Sequence, residues 1–289
     1  MMATENVLIA TDCISDLPKE VIEKYDISTM YFYISTEEAR FQDTFEMTSD
    51  NLIEYIEVDG KKAVSGCASE DEYIEYFKKL QKGTDREIVY ICVSQKLSKA
   101  YDNAVAAASK LNNIHVVDSG HLSAGTGLMA LVAAEMSKCG ASAEMIIEEI
   151  SGMSKRVSTS FIVNSTECLY RNGQISRFVY GACKMFSLHP ILKMSDGRLR
   201  PAWVCIGKPQ RFAKSYVKWV LKHKDDIVTD RAFFITSGCT YDFKEYVRKE
   251  IEDHVTWDNV ITNAASATIS CNCGSGAFGV LFMRKKECC

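Results

Sequence analysis

No run in this chain approaches the roughly 18 to 20 uninterrupted apolar residues that a membrane-spanning helix needs. The start, MMATENVLIA, also lacks the basic residues and cleavage pattern of a signal peptide, so a cytoplasmic protein is expected. Positive charge is not in excess. With 34 Lys and Arg against 38 Asp and Glu, and the lysines interleaved with acids, the chain has no electrostatic footprint for nucleic acid or for an anionic membrane. No low-complexity segment interrupts an ordinary globular composition, so the whole chain is expected to fold. Paired metal knuckles are missing as well. Among 12 cysteines there is no pair of CxxC motifs, and Cys92, Cys139, Cys183, Cys205 and Cys239 stand alone in apolar surroundings, as buried reduced thiols do. Cys271-Asn272-Cys273 and the terminal Cys288-Cys289 bring thiols together, but without a second ligand pair; no metal and no cofactor is expected.

What is present is a recurring strand, polar turn and helix. In Tyr90 to Leu111, a β-branched apolar run through Val93 stops at Ser94 and Ser98, and an alanine-rich helix starts at Ala100. Val7 to Ala10 reads as a strand followed by a helix through Tyr25, Ile27 to Ile34 as a second strand, and Thr48 to Ile56 as a helix. Ser65, in a second hydroxyl turn from Ala63 to Ser69, precedes a helix that carries a capping box, Ser69 with Glu72, and ends at Gly83. Ile114 to Ser119 is a strand, and helices follow over 123–138 and 141–154. Such alternation predicts an α/β/α domain with a parallel sheet over residues 1–156. Beyond Arg156 the rhythm changes. An antiparallel hairpin turns at Asp196-Gly197, helices are expected over 212–224 and 242–253, and strands over 160–163, 232–236 and 260–263. A glycine turn at 274–279 then leads to a last strand. Residues 157–289 therefore read as a two-layer α/β domain with a mixed sheet.

In an open α/β sheet, turns at the carboxyl ends of strands converge on a ligand crevice, and a following helix offers unpaired N–H groups to an anion. Ser65, Ser94 and Ser98 are the candidates for that place; each alone is equally explained as a cap or a turn residue. A serine hydrolase does not fit, because neither Val93-Ser94-Gln95 nor Leu97-Ser98-Lys99 supplies the G-x-S-x-G elbow. Nor is Gly274-Ser275-Gly276-Ala277-Phe278-Gly279 a dinucleotide loop, since it precedes a strand instead of opening a helix.

A series of segments in order gives the chain a resemblance over nearly its whole length. Thr11-Asp12-Cys13-Ile14-Ser15-Asp16-Leu17-Pro18 resembles an opening TDSxxDLP, Val64 to Ser69 a TSQPS segment, and Val93 to Tyr101 an ISSxLSGTY. Ile114 to Ser119 with Gly125 resembles VIDS and its glycine-bearing helix. Tyr170 to Ile175, Pro190-Ile191-Leu192 and Asp196-Gly197 resemble KGGRI, KPIL and DG, and Asn272 to Gly279 stands at HTGPGxxG. On these motifs the chain resembles the DegV family of bacterial fatty-acid-binding proteins. The resemblance implies a two-domain α/β protein, not itself an enzyme, that holds one long-chain fatty acid in a tunnel and presents it to a separate fatty acid kinase. It places the lipid carboxylate beside Ser65, Gly66, Ser98, Asn272 and Cys273, with Ser94 as a further contact. It also marks departures: Asn272 stands for a histidine, Gln174 for an arginine, Lys99-Ala100 for Gly-Thr, and Gly66 for a second hydroxyl. Two other readings stay open, an enzyme acting on a small carboxylated or phosphorylated substrate in the same crevice, and an interaction protein with a filled pocket. A long apolar cavity would favour the carrier.

Overall fold

The computed structural model describes residues 7–286, so the Cys288-Cys289 pair lies outside the described residues. In chain order the first half comprises β1 (Val7–Asp12), α1 (Lys19–Tyr25), β2 (Ser28–Met30), β3 (Tyr33–Ser35), β4 (Arg40–Gln42), α2 (Ser49–Ile53) and β5 (Val64–Gly66). It continues through α3 (Glu70–Gln81), β6 (Glu87–Cys92), α4 (Ala100–Ala108), β7 (Ile114–Asp118), α5 (Ala124–Lys138) and α6 (Ala143–Met153). The second half holds β8 (Val157–Ile162), α7 (Glu167–Arg171), α8 (Arg177–Met185), β9 (Leu188–Ser195), β10 (Arg198–Ile206) and α9 (Pro209–Val220). It closes with β11 (Ile227–Ser237), α10 (Tyr241–His254), β12 (Val260–Ala264), α11 (Ala267–Cys273) and β13 (Ala277–Arg284).

The strands β2-β1-β6-β7 form an all-parallel sheet, and β10-β9-β8-β13-β11-β12 a mixed one. The parallel strands are apolar without alternation because both faces are covered. On one side lie Tyr73, Phe77 and Ala104 of α3 and α4; on the other lies α5. That helix, AGTGLMALVAAEMSK, is apolar almost all round, and from Ala124 to Ala134 only Val132 is not buried. A helix without a polar face must be surrounded. Leu128, Met129 and Leu131 share one core with Val7, Ile9 and Ile91 of the parallel sheet and with Phe233, Ile235 and Leu281 of the mixed sheet. Small residues allow the close fit. A Cβ on Gly127 would stand 2.5 Å from the carbonyl oxygen of Ser15 in the 3-10 turn Cys13–Ser15. On its far face the mixed sheet packs Phe234, Val280 and Phe282 against Phe212 and Tyr216 of α9 and Val247 of α10.

The sequence reading misses a third sheet. The expected strand over 27–34 breaks at 31–32; β2 stays in the parallel sheet, while β3 pairs antiparallel with β4 and β5. Ser65, expected in a turn at the end of a strand of the parallel sheet, lies instead within β5 opposite Ile34. Two helices, α8 and α11, also go unforeseen. Gly274 follows α11 with φ of 73° and the chain then enters β13, as expected of a turn that precedes a strand.

Candidate functional site

The loop after β6, the strand β5 and the helix α11 meet around a cavity of about 240 Å³. Its wall includes Ser65, Gly66, Ser98, Asn272 and Cys273, so five of the six expected residues come together although they span more than two hundred positions. Ser94 does not join them. It is fully buried, its hydroxyl donates to the Gly197 carbonyl at 2.7 Å, and it ties the loop 93–99 to the β9–β10 hairpin.

Each polar group on the wall has a defined valence. Asn272 Nδ2 donates to Ser65 Oγ at 3.2 Å and to the Thr268 carbonyl at 2.8 Å. Its Oδ1 accepts from Asn172 Nδ2 at 3.2 Å and from Gln174 Nε2 at 3.3 Å. An asparagine amide has two donor hydrogens and two acceptor lone pairs, so Asn272 is fully used by the protein. What it achieves is to occupy a lone pair of Ser65, leaving that hydroxyl hydrogen to point elsewhere. Ser98 is in the same state, accepting from the Ala100 N–H at 3.1 Å and keeping its own O–H. Gln174 has a second amide hydrogen and also lines the cavity. The polar end therefore offers neutral donors, and among the described residues no lysine, arginine, histidine or carboxylate lines the wall.

Most of the remainder is apolar: Ile14, Phe32, Val93, Leu97, Leu122, Phe161, Leu169, Leu199 and Ile269, with Cys67 and Thr268 completing the lining. Leu122, Phe161, Ile269 and Cys273 also border a second, narrow chamber of about 30 Å³ that runs between Ile235, Phe278 and Leu281 of the mixed sheet and Ala265. A polar mouth thus leads to a mainly apolar recess between the mixed sheet, α11 and the start of α5.

The helix α11 is held from its N-terminus. Ser266 Oγ accepts from the Ile269 N–H, and the buried carboxylates of Asp16 and Asp43 accept from Ser266 N and from Ala267 N and Thr268 N, each at 2.8 Å. Carboxylates at a helix start satisfy orphan N–H groups and the dipole. Burial works against their charge. Desolvation pushes Asp16 up from 3.8 to about 7 despite its bonds to Ser123 and Ser266, and raises Asp43 as well. Asp12, at the end of β1 among Tyr90, Tyr73 and the Val93 N–H, is raised to about 6 by the same cause. Thus Asp12 and Asp16 of the TDCISDLP segment, with Asp43, anchor the loop after β6 and the helix α11 that form the cavity wall. Two thiols on or behind that wall are held in the protonated form: burial raises Cys271 to about 11 and pushes Cys273 up further.

The sequence reading also missed Thr268 and Ile269. Thr268 and Asn272 are four apart and share a helix face, and Ser266 supplies the cap; that spacing was the available signal.

A parallel sheet and a mixed sheet clasping one buried helix, with a polar-mouthed cavity at their junction, define a class of two-sheet α/β proteins. The DegV family profile, described as that of an uncharacterised protein, matches residues 6–285, and the chain belongs to that family. A DegV domain-containing protein of Caldanaerobacter subterraneus subsp. tengcongensis is 28% identical over 97% of this chain and 100% of its own length. The solved structure titled fatty acid binding of a DegV family protein, from Thermus thermophilus, superposes with a TM-score of 0.85 at 23% identity, covering 96% of this chain and 99% of that one. A DegV family protein from Eubacterium eligens, loaded with heptadecanoic acid, gives 0.82 at 17% identity over 97% and 100%.

Proposed function

We propose that this protein binds one long-chain fatty acid and acts as its carrier. The carboxylate sits at the Ser65, Ser98 and Gln174 end of the cavity, and the alkyl chain runs past Leu122, Phe161 and Ile269 into the inner chamber. The single observation that carries the proposal is the polarity gradient: free hydroxyl and amide donors at one end and a mainly apolar lining leading away from them, where the hydroxyls of Ser123, Thr159, Ser160 and Ser237 are already bonded within the protein. The solved DegV structures titled for fatty acid binding support it. Energetically the tail dominates, at about 0.8 kcal/mol per buried methylene, while a hydrogen bond to a charged group adds roughly 1.5 to 3 kcal/mol and fixes which end enters.

An enzyme in the same cavity is disfavoured because, among the described residues, its wall holds no histidine, lysine or carboxylate to transfer a proton, and burial keeps the Cys273 thiol protonated. In this proposal, phosphorylation of the bound carboxylate belongs to a separate kinase, and the neutral mouth made by Asn272 and Gln174 alters how the carboxylate is presented to it. Unpaired cysteines throughout the described residues suit a reducing compartment such as the cytoplasm. The division into domains at 156/157 is likewise proposed from the change of sheet at β8. Mass spectrometry of the organic extract of purified protein tests the proposal. A carrier yields an acyl chain; no acyl chain at any occupancy, together with no shift in melting temperature on adding fatty acids, overturns it.

A further inference from the structure

The loop 93–99 has two sides. Leu97 and Ser98 face the cavity described above, whereas Gln95 and Lys96 face a separate cleft of about 910 Å³ between the C-terminal end of β7, the end of α6 and the tip of the β9–β10 hairpin. Volumes of this size are ordinary for small-molecule sites. The charge of the cleft is opposite to that of the protein. Lys96, Lys155, Lys193 and Arg284 line it against only Asp118 and Asp196, in a chain with a formal net charge of -4.

Its cations are also available. Among the described residues Lys155 and Lys193 have no partner, Arg284 lies over the Phe282 ring without a carboxylate, and Lys96 donates only to the Asp196 carbonyl, at 2.8 Å. The two acids are engaged: Asp118 accepts from Gln95 N, Gln95 Nε2 and Gly120 N, and Asp196 accepts from Ser195 Oγ. His121, which also borders the cleft, is saturated. Its Nε2 donates to the Ser154 carbonyl at 2.7 Å, its Nδ1 accepts from Thr159 Oγ1 at 2.9 Å, and burial keeps it neutral. Lys193 and Arg284 are half-buried on β9 and β13, the two strands that flank β8 in the mixed sheet, so their positions are set by that sheet. Four cations against two carboxylates leave the cleft net positive, and a bound anion relieves the repulsion among the cations.

We propose that this cleft is a second ligand site, for a small molecule bearing a phosphate or diphosphate group, with Lys155, Lys193 and Arg284 as the anion contacts. The site does not depend on lipid in the other cavity, so its test uses full-length protein freed of lipid and titrated calorimetrically with inorganic pyrophosphate. Saturable binding of one equivalent is expected, weakening with added salt. The pair Lys155→Gln with Lys193→Gln should weaken it by at least about tenfold. The charge-keeping pair Lys155→Arg with Lys193→Arg should retain it, which separates loss of charge from loss of fold. As a control for nonspecific attraction, Lys184→Gln with Lys208→Gln alters two cations that border a different cavity and should leave binding unchanged. The proposal is overturned by no saturable heat up to about 10 mM pyrophosphate, or by equal weakening in the control pair.

Discussion

At the scale of the residue, the decisive feature is the way hydroxyl hydrogens are left over. Asn272 and the Ala100 N–H each consume an acceptor site on a serine, which turns Ser65 and Ser98 into net donors. An aspartate at 272 tests this reasoning because it keeps the shape and reverses the polarity. Asn272→Asp removes the donor to Ser65 and puts a carboxylate beside the bound one, so affinity for a fatty acid anion should fall at least tenfold at about pH 7.5, and more than affinity for the corresponding methyl ester. A titration of both ligands against both proteins checks it; equal losses would mean that the variant merely damages the cavity.

At the scale of the element, α11 and α5 matter most, and they differ in how far the sequence reveals them. The long apolar α5 was legible because a fifteen-residue run, rich in alanine, leucine and methionine, ends at Cys139-Gly140. By contrast α11 spans seven residues, ATISCNC, mostly β-branched or small and polar, which are weak helix formers; packing and the two buried carboxylates hold it instead. The small antiparallel sheet was illegible for a related reason, since three-residue strands carry too little alternation to register. Of the cavity, the serines and Asn272 were found from segment order, while its apolar wall was not, because residues such as Leu122, Phe161 and Leu199 converge only through the tertiary fold. Substituting Gly127 on α5 probes the tight packing directly. Gly127→Ala would drive a methyl into the Ser15 carbonyl, and should destabilise the chain by about 1 to 3 kcal/mol in urea unfolding with the slope unchanged.

At the scale of the whole molecule, burying three carboxylates where the sheets and α11 meet makes stability depend on pH. The folded chain raises Asp12 to about 6 and Asp16 to about 7 from 3.8, and raises Asp43, so it retains protons that the unfolded chain releases. This contribution is complete below the ordinary aspartate value and is lost as pH rises through about 6 and 7. The melting temperature should therefore fall from about pH 4 to about pH 7 and level off above it, and Asp16→Asn should flatten that fall. A flat profile in the unaltered protein would contradict the burial.

The central claim is that one end of the cavity holds a carboxylate by Ser65 and Ser98 while the rest holds an alkyl chain. The direct measurement is the affinity for palmitate and for methyl palmitate of the unaltered protein and of the Ser65→Ala, Ser98→Ala double variant, with melting temperatures to confirm folding. The unaltered protein should prefer the acid, and the double variant should lose at least about tenfold in acid affinity while keeping its affinity for the ester. Unchanged acid affinity in a folded double variant would contradict the claim and leave both serines as turn and cap residues.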